Sequence, residues 1–130
     1  MSEAQPSFLT LDQVMELHSE SIEEFGGSQG VRDAGLIVSA LGAALNEFHY
    51  GGGDLFAIAA AYAFHIAESQ AFIDGNKRTA VAAALTFLDM NVECRRPPQI
   101  EFYEHMIAVA KKTMTKSGLA AQFRALAVPR

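Results

Sequence analysis

The chain has a single cysteine, no tryptophan and only four prolines among its 130 residues. Cys94 has no partner in the sequence, which excludes an internal disulfide and a cysteine-based zinc cluster; a reducing compartment is the expected home, and Cys94 reads as a small core or loop residue. The opening "MSEAQPSF" lacks the basic start and apolar stretch of a secretory signal, so a cytoplasmic location is expected. No apolar run reaches the ~20 residues that span a bilayer. The longest, residues 55–67, contains His65 and reads as a buried helix. Positive charge is scarce as well: 10 Lys and Arg against 15 Asp and Glu give a net charge of −5. The overall field therefore attracts neither nucleic acid nor an anionic membrane, and local basic clusters stand out against it.

What remains is a globular composition, 50% hydrophobic, with enough length for one domain and its own core. The expected fold is all-α: a single compact domain over residues 1–130 with about six helices, residues 1–8 forming a flexible tail. Thr10 followed by Gln13 is a capping-box pattern opening "TLDQVMELHSESIEEFGG", whose Leu11, Val14, Met15, His18 and Ile22 share a helical face, and Gly26 and Gly27 stop that helix. Asp33 caps a second helix that ends near Tyr50. "YGGGD" connects it to a third, capped by Asp54 and running to about Ser69. "TAVAAALTFLDM" continues as a fourth, apolar nearly all round and so expected at the centre, ending before Asn91. Pro97 and Pro98 bar a helix through "NVECRRPPQ", where a short strand over residues 92–95 is compatible with the pattern. "IEFYEHMIAVAKKT" supplies a fifth helix, and Ser117 is the expected cap of a sixth, "GLAAQFRAL".

One stretch carries more chemistry than its place requires. "SQAFIDGNKRTA", residues 69–80, joins two apolar helices, and a plain turn would need only Gly75 for left-handed backbone and Asn76 as N-cap. Lys77 and Arg78 fall in the first turn of the next helix, where the dipole disfavours cations by a few tenths of a kcal/mol each. An anion bound there would reverse that sign. Free N–H groups at a helix start, a permissive glycine and two cations make a phosphate site. Asp74 beside them suits Mg²⁺, which bridges carboxylate and phosphate oxygens. Phe72 is the apolar anchor that holds the loop rigid. "GGSQG" at residues 26–30 follows a helix rather than a strand and reads as a turn, and neither GxGxxG nor GxxxxGK[ST] occurs.

With those residues in view, "QAFIDGNKRTA" resembles the signature HxFx(D/N)(G/A)NKR of the Fic/Doc family, in its Doc-type, or death-on-curing, branch. "GGSQGVRDAGLIVSAL" and "AAAYAFHIAESQAFIDGNKRTAVAAALTFLDMN" are similar to that branch over much of the chain. Fic proteins of the nucleotidyl-transfer type carry a glycine and a second arginine where this chain has Lys77 and Val81, which favours the phosphotransferase side over AMP transfer. The resemblance implies a helical fold and an ATP and Mg²⁺ site on the loop. It also implies a toxin that phosphorylates a threonine of elongation factor Tu, stops translation and is neutralised by a small antitoxin protein. Position by position it implies that Phe72 anchors the loop, Asp74 ligates Mg²⁺, Gly75 and Asn76 cradle phosphate, and Lys77 and Arg78 bind it.

The family's general-base histidine falls at Gln70, and the proline commonly after it at Ala71. A neutral amide orients a hydroxyl but cannot accept its proton, and losing a general base typically costs ~10²–10⁴ in rate. His65 is five residues too early to serve and is expected to be a satisfied core-helix residue; His18, His49 and His105 are read as structural. The functions left open are an enzyme impaired at Gln70, a catalytically silent module that keeps nucleotide and antitoxin binding, and a Fic-type nucleotidyl (AMP) transferase. A DNA-binding helix-turn-helix fits poorly, because the clear basic pair sits at a helix start in an acidic field.

Overall fold

Helix starts follow the local capping chemistry. In a computed structural model of the chain, which describes residues 5–91, 94–95, 115–126 and 128–129, α1 (Leu11–Phe25) opens on a complete capping box. Gln13 N–H donates to Thr10 Oγ1 at 3.1 Å, and Thr10 N–H donates to Gln13 Oε1 at 2.8 Å. Asp33 caps α2 (Ala34–His49) by accepting from Gly35 N–H at 2.9 Å, and Asp54 caps α3 (Leu55–Ser69) by accepting from Ala57 N–H at 2.9 Å. Each satisfies a backbone donor that has no intrahelical partner. α4 is Asn76–Asn91 and α5 is Lys116–Leu126. α5 is capped two residues earlier than expected: Gly118 N–H donates to Thr115 Oγ1 at 3.0 Å, so Thr115 and not Ser117 is the cap.

Five helices are thus present among the described residues, and the helix expected over "IEFYEHMIAVAKKT" lies outside them. Two-residue strands β1 (Cys94–Arg95) and β2 (Val128–Pro129) pair antiparallel, Cys94 opposite Pro129 and Arg95 opposite Val128. The hub is α3 rather than α4. α3 packs on α2, α4 and α5, while α1 lies on α4. Its Ile58, Ala59, Ala60, Ala61, Tyr62, Ala63, Ile66 and Ala67 are all buried, on every side of the helix, as a central position requires.

The expected tail does not reach Ser7 and Phe8. Ser7 N–H donates to Asn91 Oδ1 at 2.7 Å and Asn91 Nδ2 returns a bond to Ser7 O at 2.9 Å. Phe8 packs edge-on to Phe48 at 5.8 Å, and Leu9 N–H donates to the buried Tyr62 hydroxyl at 2.9 Å. Desolvation raises the Tyr62 phenol above its ordinary pKa, so it stays protonated through the physiological range. No helix is long and apolar enough to cross a membrane among the described residues.

Candidate functional site

α3 and α4 are consecutive and pack on each other, so the chain must turn back within residues 70–75. Gln70 is the C-cap of α3 and adopts left-handed backbone (φ 53°, ψ 34°), the sole non-glycine positive φ among the described residues. Its side chain turns back, Nε2 donating to Ala67 O at 3.2 Å. Phe72 then drops into the core at 0% exposure, as an anchor should. Gly75 (φ 78°) makes the second left-handed step, and a Cβ there would lie 3.0 Å from Ile22 Cδ1 of α1.

Asn76 does not cap α4. It is the helix's first residue, and its amide pairs with the Phe72 peptide in both directions: Phe72 N–H donates to Oδ1 and Nδ2 donates to Phe72 O, each at 3.0 Å. The first helical bond runs from Thr79 N–H to Gly75 O at 3.0 Å. The N–H groups of Asn76, Lys77 and Arg78 therefore have no intrahelical partner. They border a cleft of about 300 Å³ lined by Gln70, Ile73, Asp74, Gly75, Asn76, Lys77 and Arg78. Every residue assigned to the site from the sequence lines it except Phe72, which lies beneath.

The charges in the cleft are held differently. Among the described residues Lys77 has no hydrogen-bond or ion-pair partner. Arg78 is tied to α1: Nε donates to Ser21 Oγ at 3.2 Å, Nη2 to Gly26 O at 2.8 Å, and the guanidinium lies 5.7 Å over the Phe25 ring. Its other N–H groups remain available to an anion. Asp74 Oδ1 accepts from Gly75 N–H at 2.9 Å and Oδ2 from Ser28 N–H at 3.2 Å. The carboxylate is exposed and keeps further lone pairs, which suits a hard cation. No group of three or more His, Cys, Asp or Glu side chains could hold a metal among the described residues. A Mg²⁺ here would draw its other ligands from water and phosphate, its usual habit.

His18, read as structural from the sequence, is so, but the sequence did not assign it to the loop. It is 3% exposed, its Nε2 donates to Asp74 O at 2.8 Å, and its ring stacks on Phe72 at 3.8 Å between centroids and 8° between planes. Helical periodicity places His18 on the inner face of α1 but cannot show which loop that face meets. The structure also pairs residues 30–33 with the loop: Arg32 and Asp33 N–H donate to Ala71 O at 2.7 and 3.1 Å, and Ile73 N–H to Gly30 O at 3.2 Å. His65 stays outside the cleft and accepts from Lys116 Nζ at 2.9 Å. Burial, with the Lys116 charge beside it, holds its pKa below 6.5 against the opposing pull of Glu68.

Comparison with known proteins places this geometry. The model of the Fic/DOC family matches residues 8–88, which include the loop and both of its supporting segments. The chain is 35% identical over 81 residues to "Protein kinase doc" of Escherichia phage P1, covering 62% of this chain and 64% of that protein. It is 46% identical over 71 residues to "Toxin Doc" of Mycolicibacterium smegmatis, covering 52% of this chain and 53% of that one. The matched stretch is thus less than two thirds of either relative's length.

Proposed function

Because the chain belongs to the Fic/DOC family over residues 8–88, we propose that its cleft binds the triphosphate of ATP with Mg²⁺, and that the protein is a Doc-type toxin moving the γ-phosphoryl group to a protein hydroxyl. The acceptor in this reading is a threonine of elongation factor Tu, so that translation stops, and the neutralising partner is a small antitoxin protein. The observation that carries it is the start of α4, where unpaired N–H groups and the free Lys77 ammonium converge on one cleft with the Asp74 carboxylate. The relatives named as a kinase and a toxin support it.

Each residue then has a role. The N–H groups of Asn76, Lys77 and Arg78 and the two cations hold phosphate oxygens, and Asn76 keeps the turn closed through the Phe72 peptide. Asp74 would hold Mg²⁺, which supplies charge neutralisation at the phosphate oxygens. In the transfer, the bond from the γ-phosphorus to the ADP oxygen breaks and one to the threonine oxygen forms. The hydroxyl proton must leave, and Gln70, a neutral amide at the cleft wall, cannot take it, so it passes to water. Turnover is slow for that reason, since positioning and electrostatics persist while general-base help is lost. Phosphoryl rather than AMP transfer is favoured because Val81 is 3% exposed in the core and offers nothing to an anion.

A second reading, a silent module that binds nucleotide and antitoxin, is favoured by Gln70 alone. Transfer of label from γ-labelled ATP to elongation factor Tu separates the two. Gln70→His should raise the rate by ~10²–10⁴ over the wild type. ATP binding with no transfer by either protein would leave the silent module.

A further inference from the structure

Asp74 and Arg78 are four residues apart, close to the spacing at which an acid and a base pair across a helical turn. Paired, they would neutralise each other and leave the cleft with neither a cation ligand nor a full complement of phosphate-binding charge. No ion pair joins them among the described residues. Each is instead taken by the backbone of the connector between α1 and α2, the "GGSQG" of residues 26–30. Gly26 O accepts from Arg78 Nη2 at 2.8 Å, and Ser28 N–H donates to Asp74 Oδ2 at 3.2 Å. Between them, Gly27 (φ 121°) makes room: a Cβ there would sit 2.7 Å from Asp74 Oδ2 and 3.2 Å from its Cγ.

We propose that this connector is a positioning element of the cleft, holding the Asp74 carboxylate and the Arg78 guanidinium apart so that both remain directed at a bound metal–phosphate group. The inference rests on the ATP and Mg²⁺ reading above. Backbone dipoles suit the task because they orient the two groups without cancelling either charge, which a lysine or glutamate in the connector would do. Gly27 is then required for two reasons, its left-handed backbone and the space that the carboxylate fills. Ordinary turn chemistry explains only the first.

Gly27→Ala is the test, with Gly52→Ala as control, since Gly52 also has positive φ (65°) but open space where a Cβ would go, and it lies in the α2–α3 connector at the other end of α3. Calorimetry of ATP binding is run with graded Mg²⁺ and with a chelator. Gly27→Ala should weaken the apparent Mg²⁺ affinity in the presence of ATP by roughly 10–100-fold, more than it weakens metal-free ATP binding, and Gly52→Ala should change neither. A wild-type Mg²⁺ response in Gly27→Ala overturns the connector's role and leaves the cleft reading standing. ATP binding by the wild type that ignores Mg²⁺ overturns the cleft reading and this inference with it. Thermal melts give a ligand-free check that survives poor folding of the single variant. The loss of Tm caused by Gly27→Ala should shrink when Asp74 is also changed to Ala, because the closest clashing group is gone and only Ile22 Cδ1, 3.1 Å from that Cβ, remains; an equal loss in both backgrounds overturns the contact.

Discussion

Lys77 and Arg78 are neighbours of the same charge, yet they sit in different energetic situations. Lys77 is unpaired among the described residues at the positive end of α4, so in the absence of an anion it costs the helix about 0.3–1 kcal/mol. Lys77→Ala should therefore raise folding stability slightly in urea melts while weakening ATP binding; unchanged ATP affinity would remove Lys77 from the phosphate site. Arg78 has a structural share in addition, through Ser21 and Gly26. Arg78→Ala should lower stability by about 1 kcal/mol and ATP affinity together, since it leaves the buried Ser21 hydroxyl without its partner. Both residues were visible in the sequence as cations in an unfavourable place. Their division of labour was not, because the partners of Arg78 lie more than fifty positions away in the chain.

At the scale of elements, the loop between α3 and α4 owes its shape to two left-handed residues, Gln70 and Gly75, and to the reciprocal pairing of Asn76 with the Phe72 peptide. Asn76→Ala removes both bonds and leaves a partly buried N–H and C=O without partners. Stability should fall by about 1–3 kcal/mol, measured by urea unfolding, and ATP binding should weaken with it; full stability would contradict the pairing. The starts of α1, α2 and α3 were legible because a cap acts on donors two or three residues away. The start of α4 was misread for a related reason: an asparagine before a helix is ordinarily its cap, and only the fold shows this one bonded backwards. The connector at residues 26–30 read as a turn because its partners, Asp74 and Arg78, are remote in sequence.

Across the whole molecule, α3 is the shared wall, and its contact with α5 includes the bond from Lys116 to His65. Burial first, then the Lys116 charge, depresses the His65 pKa in the folded state. Between that depressed value and the ordinary 6.5, the unfolded chain binds more protons than the folded one, so stability rises with pH there and is lost as pH falls below 6.5. Urea midpoints measured from pH 7.5 down to 5.5 should decline, and His65→Gln should flatten the decline; an unaltered slope would assign it to other groups. Asp54 acts lower on the scale. Burial alone would raise its carboxyl, but Ala57 N–H and Arg124, 2.7 Å away, outweigh it and hold the pKa below 3.8. Its contribution is lost only as pH falls below that value, and its half-exposed position keeps it small.

The sequence by itself determined the helical class, three helix starts, the left-handed step at Gly75, the buried anchor Phe72 and the collection of Gln70, Asp74, Asn76, Lys77 and Arg78 into one loop. Capping, helical periodicity and glycine's freedom all act within a few residues, so the order of residues suffices to express them. Only the tertiary structure decided that α3 is the hub, that His18 supports the loop from α1, and that the connector at residues 26–30 holds Asp74 and Arg78 apart. Those outcomes depend on which helix faces meet, and that is set by packing the whole core rather than by any local pattern.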